Sequence, residues 1–260
     1  MESEARYLSD ETPVDIRDYL TRDDRIILPF GSIENNGPHL PLATDLRAAV
    51  ALAEGASRAS GVLIAPPIPW GVSSVNMGFA GTMTLSPQTC ERIITELCMS
   101  LAFHGFRRMV VICGHSSNVW PAANAAELLR DRGVLVAQFD VWRCVEKLGA
   151  DLVTTDAHPF GHGSEIMTSV MLSVAPQLVH GDRMKPEMPV DSFGLKYYGT
   201  YPRIMGFAAW DDVSTSGSIG DPRGADAKLG EEAMRRMTGE LVELLEDMRS
   251  ASLPSERTFS

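Results

Sequence analysis

Short apolar runs alternate with longer amphipathic stretches along most of this chain. That alternation restricts the fold more than any other feature. RIILPFG (25–31), GVLIAP (61–66), RMVVIC (108–113) and GVLVAQF (133–139) are each too short for a helix and too apolar for an exposed loop. They read as buried strands. Between them, 45–60, 86–104 and 120–132 carry apolar residues at helical spacing, and Ser86-Pro87 suits an N-cap followed by proline at the first helical position. Strands separated by helices predict a mainly parallel sheet covered on both faces. Two further helices are expected at 163–174 and at 229–248, the latter with Met234, Met237, Leu241, Leu244 and Leu245 on one face. The polar segment 1–22 is expected to wrap the surface. The stretch 182–226 is rich in Pro, Gly, Ser and Tyr and reads as a loop-rich insertion or an edge hairpin. With 260 residues and no internal repeat, one domain over 1–260 is the simpler organisation.

Charge excludes some functions. The chain has 23 basic and 34 acidic side chains, a net charge of −11, so its surface repels nucleic-acid backbones. No run approaches the roughly 18 apolar residues of a membrane span. The start, MESEARYLSDETPVD, lacks the character of a secretory or transit peptide. Cys90, Cys98, Cys113 and Cys144 form no CxxC pair. A reducing cytoplasm is the expected location.

In parallel α/β sheets, ligands bind beyond the carboxyl ends of the strands. The segments following the strands are therefore the ones that could carry chemistry. GSIENNGPHLPLATD holds Glu34, His39 and Asp45; GHSSN holds His115, Ser116, Ser117 and Asn118; DAHPFGHGSE holds Asp156, His158, His162 and Glu165. Imidazoles and carboxylates gathered at one crevice suit zinc, manganese or iron. Such a metal brings the pKa of bound water to about 7 and supplies hydroxide. Each residue also has a plainer role. Glu34 and Asp45 can cap helices, and a lone His115 can bond a carbonyl. Pro159 and Gly161 argue against a single helix carrying His158 and His162. No GxSxG, GxGxxG or GxxxxGK[ST] occurs, which disfavours a serine nucleophile and a nucleotide cradle.

Five blocks resemble the creatininase (creatinine amidohydrolase) family. They are LPFGSIENNGPHLPLATD (28–45), WGVSSVNMGFAGTMTLS (70–86), VVICGHSSN (110–118), FGHGSEIMTSVML (160–172) and GSIGDPRGADAKLGEEAM (217–234). The resemblance implies a three-layer α/β/α sandwich with a mainly parallel sheet, assembled as a homo-oligomer, usually a hexamer. It also implies metal-dependent hydrolysis of a carbon–nitrogen bond, of cyclic amide or formamide type, in a small molecule. The family's metal ligands fall on Glu34, Asp45 and His115. Its second-metal histidine falls on Asn36, the GHYEN glutamate on Ser117, the second-block histidine on Asn76 and the ETS glutamate on Met167. Each departure removes a strong ligand, so one ion, most simply zinc with manganese or iron as alternatives, is expected rather than two.

Within that resemblance, His162 is expected to move a proton or contact an oxyanion. Glu165 is expected to act as general base, and His39 to orient the ligands. Hydrolytic opening of a lactone or keto-cyclitol, or a non-catalytic binding relative, are the alternative readings. Trp142, Trp210, Tyr197, Tyr198 and Phe207 are candidate pocket walls, and 192–210 is the expected substrate-covering loop.

Overall fold

The computed structural model describes residues 4–190 and 208–257. Four parallel strands make the sheet: β1 (Arg25–Phe30), β2 (Leu63–Ile64), β3 (Arg108–Cys113) and β4 (Leu135–Asp140), in the order β2-β1-β3-β4. Ile26 pairs with Leu63 and Met109, and Met109 with Val136. All six residues of β1 are buried, as expected for a strand with helices on both faces.

Side-chain alternation along β1 and β3 divides the core in two. Ile26, Leu28, Phe30, Met109 and Val111 pack against α3 (Pro87–His104) and α4 (Val119–Arg130). Ile27, Val110 and Ile112 pack against α2 (Thr44–Ser60), α6 (Glu165–Val174) and α8 (Ala227–Ser250). The result is the three-layer α/β architecture that the sequence implies. Gly230 of α8 lets that helix approach α6 closely: a Cβ added there would lie 1.9 Å from the Ser169 carbonyl oxygen.

Several boundaries differ from expectation. Helix α2 begins at Thr44, with Ala43 at its cap, so Asp45 lies inside the first turn and its side chain is free to point inward. The second strand shrinks to two residues, because Pro66 and Pro67 follow at once and proline cannot continue a ladder. Helix α5 (Val141–Leu148) is an addition that the periodicity did not reveal; the Asp140 carboxylate caps it by accepting from the Trp142 and Arg143 amides. The N-terminal segment does more than cover the surface. Its helix α1 (Pro13–Leu20), closed by a Thr12–Asp15 capping box, sets Tyr19 in the core at 2% exposure, with the phenol donating to the Arg25 carbonyl. In the 182–226 stretch, the described residues hold a pairing of Glu187 with Gly220 and the short helix α7 (Trp210–Val213). Among the described residues, no helix is long and apolar enough to cross a membrane.

Candidate metal centre

Three parallel strands deliver their following residues to one edge of the sheet. Beyond β1 come Ser32 and Glu34, beyond β3 comes His115, and beyond β4 comes Trp142. Asp45 arrives from the first turn of α2. The helix can come this close because Gly114 precedes His115: a Cβ there would lie 2.2 Å from the Asp45 backbone oxygen.

Glu34, Asp45 and His115 form a compact group, each offering one ligand atom within 4.8 Å of the others. His115 Nδ1 lies 3.3 Å from Glu34 Oε1 and 3.2 Å from Asp45 Oδ2. On the other side of its ring, Nε2 meets the Val72 carbonyl at 2.8 Å. A carbonyl only accepts, so Nε2 carries the hydrogen and the Nδ1 lone pair faces the carboxylates in the neutral ring. Further contacts fix the acids. Ser73 Oγ donates to Glu34 Oε2 (2.5 Å), Ser32 Oγ to Asp45 Oδ2 (2.7 Å), and the Trp142 indole to Asp45 Oδ1 (3.0 Å). Outer contacts of this kind orient metal ligands and tune their basicity.

The electrostatics follow from crowding two acids in a dry place. Burial raises the Asp45 carboxyl, and nearby Glu34 raises it further. Burial also acts to raise Glu34, but His115 and His162 outweigh it and hold that carboxyl well below its usual range. Burial opposes a charged His115, yet the two acids push its pKa well above the usual imidazole value. In this state a proton on His115 supplies the positive charge that the two carboxylates require. Two carboxylate oxygens and an imidazole nitrogen in one cluster are a donor set that fits a divalent ion.

His162 stands beside this group and reaches Glu34 alone among the three. Its Nε2 is 3.3 Å from Glu34 Oε1, its Nδ1 donates to the Gly217 carbonyl at 2.6 Å, and its ring stacks on Trp210 with centroids 4.8 Å apart and planes 12° apart. Burial lowers its pKa, but the contact with Glu34 leaves it raised overall.

A cavity of about 510 Å³ opens over the group. Glu34, Asp45, His115 and His162 lie at its polar end with Ser116 and Ser117; Trp142, Trp210 and Met167 are among its apolar walls. Trp142 and Trp210 thus stand where the sequence suggested. Tyr197, Tyr198, Phe207 and nearly all of the expected 192–210 covering loop lie outside the described residues.

Two of the expected site residues lie elsewhere. Glu165 does not face the cavity. Its Oε1 accepts from the Thr154 amide (2.9 Å) and hydroxyl (2.6 Å), and its Oε2 from the Thr155 amide (2.9 Å). Its oxygens are committed to the loop before α6, because the first turn of that helix aims this side chain away from Met167. His39 touches none of the three clustered residues. It is fully buried, shares a hydrogen bond with Thr168 on α6 (2.9 Å), and burial brings its pKa down to about 4. Asp156 and His158 do not line the cavity either. The serine contacts, the Trp142 bond to Asp45 and the Gly217 carbonyl were not foreseen. Only the tryptophan, next to the capping Asp140, carried a recognisable signal.

The positions of the expected departures are also clear. Asn36 is buried, with its Oδ1 making no hydrogen bond among the described residues. Met167 Sδ accepts from the Gly163 amide at 3.2 Å. Ser117 brings a neutral hydroxyl to the cavity. None of these brings a charged ligand to a second ion.

Fold and site together give a candidate divalent-metal site at the strand ends of a parallel α/β sheet, and the family match makes the chain a metal-dependent hydrolase. The family model named Creatininase, described as creatinine amidohydrolase, matches residues 9–245, and the chain belongs to the creatininase family. A mycofactocin precursor peptide peptidase of Mycobacterium ulcerans is 31% identical over 227 residues, covering 84% of this chain and 81% of the relative. A 3-dehydro-scyllo-inosose hydrolase of Thermotoga maritima is 24% identical over 266 residues, covering 93% and 83%. Among solved structures, a creatininase mutant described as Zn-Zn type superposes with a TM-score of 0.80 at 22% identity, covering 96% of this chain and all of that one.

Proposed function

We propose that this protein hydrolyses an amide-type carbon–nitrogen bond in a small molecule or short peptide, using one divalent ion. The observation that carries the reading is the convergence of Glu34, Asp45 and His115 under an open cavity, with His162 alongside. The peptidase name of the Mycobacterium ulcerans relative supports an amide bond over other hydrolysable groups.

Glu34, Asp45 and His115 would hold the ion, and zinc suits their oxygen and nitrogen donors, with manganese or iron as alternatives. When bound, the ion supplies Lewis acidity that polarises a carbonyl and makes water nucleophilic at neutral pH. His162 carries the proton. With Nδ1 committed to Gly217, its Nε2 takes a proton at the Glu34 side of the cavity and returns it to the departing nitrogen. Trp142 and Trp210 exclude water and offer flat faces to a planar amide or ring. The Ser116 and Ser117 hydroxyls supply hydrogen bonds to the substrate.

The single-ion reading rests on Asn36, Ser117 and Met167, which offer only neutral donors where the family resemblance implies charged or imidazole ligands. The test pairs elemental analysis with a panel of cyclic amides, formamides, short peptides and lactones, before and after chelation. Amine release that depends on metal supports the reading. Turnover of lactones or keto-cyclitols alone, without amine, transfers the assignment to the chemistry named for the Thermotoga maritima relative. No turnover in any metal-loaded sample rejects both.

A further inference from the structure

The proton-carrying role above needs the His162 ring in one orientation, and the Gly217 carbonyl at Nδ1 sets that orientation. Gly217 belongs to an irregular turn, and no sheet or helix ladder holds it in place. Its φ is +81°, a conformation suited to glycine, and a Cβ there would sit 1.8 Å from Asn35 Nδ2. Something must therefore fix this turn from outside.

Asn35 Nδ2 donates to the Ser216 carbonyl (2.9 Å) and the Ile219 amide to the His162 carbonyl (2.7 Å), but most of the turn's donors gather on one carboxylate. Glu187 accepts at Oε1 from the Ser214 hydroxyl (2.9 Å), the Thr215 amide (2.5 Å), the Thr215 hydroxyl (3.0 Å) and the Ser216 amide (3.4 Å). Its Oε2 accepts from the Ser216 hydroxyl. Three consecutive residues thus bring five donor groups to a single side chain, the Ser214 hydroxyl sharing its one hydrogen between Glu187 and the Ser218 carbonyl (2.9 Å). The backbone of Glu187 is anchored in turn, donating to the Gly220 carbonyl (3.0 Å) and accepting from the Gly220 amide (2.7 Å). Ser214 completes the link: its hydroxyl oxygen accepts from the Gly217 amide at 2.7 Å. Glu187 itself does not line the cavity.

We infer that Glu187 is a positioning residue: its carboxylate organises the 214–217 turn so that the Gly217 carbonyl meets His162 Nδ1 and holds the ring with Nε2 toward Glu34. This inference rests on the proposed role of His162 but concerns a different residue, remote from substrate. A carboxylate is required because every group that meets it is a donor. An amide at this position would bring its own donors against Thr215 and Ser216. The Ser-Thr-Ser-Gly run supplies the complementary half: hydroxyls and amides that close on the acid, followed by the glycine that presents its carbonyl.

The test needs no substrate. Protein labelled with 15N-histidine is loaded with zinc, and the His162 imidazole signals are assigned and followed for hydrogen exchange at Nδ1. The parent is expected to show a single tautomer with a slowly exchanging Nδ1–H. Glu187→Ala is expected to speed that exchange at least 10-fold or to populate the other tautomer, while zinc content stays at the parent level. An unmoved His162 signal in folded Glu187→Ala overturns the inference. If that variant does not fold, the double variant Thr215→Val/Ser216→Ala, which keeps the acid and the Ser214 link to Gly217 and removes two hydroxyl donors, is read in the same way. Zinc content is measured on the same samples. Absence of zinc in the parent counts against the metal reading, whereas an unmoved His162 signal counts against Glu187.

Discussion

The Trp142 indole donates to Asp45 Oδ1 at 3.0 Å, while the other oxygen of that carboxylate, Oδ2, faces His115 at 3.2 Å. One oxygen is thus held by a large side chain from α5 and the other is turned toward the metal group. Trp142→Phe removes the donor and keeps most of the bulk. Loss of an outer-shell partner of this kind weakens metal affinity by about 10–100-fold. Competition titration with a chromophoric chelator measures the change, and an unchanged affinity would show that the indole only fills space.

The three proposed ligands should fail together as metal binders. Glu34→Gln, Asp45→Asn and His115→Ala are each expected to lower metal content from about one ion per chain to near zero, since a catalytic site depends on about three protein ligands. Plasma mass spectrometry on protein purified without chelator reads this directly. Full loading in any of the three contradicts the assignment.

His162→Gln should separate binding from catalysis. Zinc content is expected to remain, because His162 reaches Glu34 without belonging to the compact three-residue group. Turnover of whichever amide substrate the panel identifies should fall by about 10²–10⁴-fold, the range for losing a proton-transfer group. Loss of zinc with loss of turnover would instead make His162 a ligand.

Stability should decline on mild acidification through His39. Burial lowers its folded pKa to about 4, below the usual imidazole value of 6.5. The unfolded chain therefore binds the proton more readily. The contribution is complete above the unfolded pKa and is lost as pH falls from 6.5 toward 4, amounting to about 2 kcal/mol by pH 5. Urea melts of the parent and of His39→Gln at pH 7 and pH 5 check the sign. The parent should lose more stability than the variant.

Gly230→Ala tests the seam between α6 and α8. The added methyl would meet the Ser169 carbonyl oxygen, part of a helix backbone with no rotamer to yield. Overpacking of this type costs about 1–3 kcal/mol. Thermal melts should show the loss even in fully loaded protein.

These expectations mark how far the sequence could be read. The alternation of strands and helices was legible because burial on both faces of a parallel sheet demands near-continuous apolar runs, and β1 is buried along its length and β3 from Met109 onward. Glu34, Asp45 and His115 stood among the candidates because the segments following parallel strands gather at one edge, and the resemblance to the creatininase family singled them out as ligands. Glu165 misled because its place at the start of α6 fixes its direction, and only coordinates show that this direction leads to Thr154 and Thr155. His39 misled for a related reason: its neighbour Thr168 is 129 residues away in the chain. Glu187 gave no signal, since its meaning lies in donors that arrive 27–29 residues later.

Two acids buried side by side require a positive charge between them, and a cation would take the place that the proton on His115 fills in the ion-free chain. Binding that is restricted to the native chain adds to its stability in proportion to the logarithm of free ion. In a cell, a freshly synthesised copy that meets no ion would thus be the easier prey for proteases.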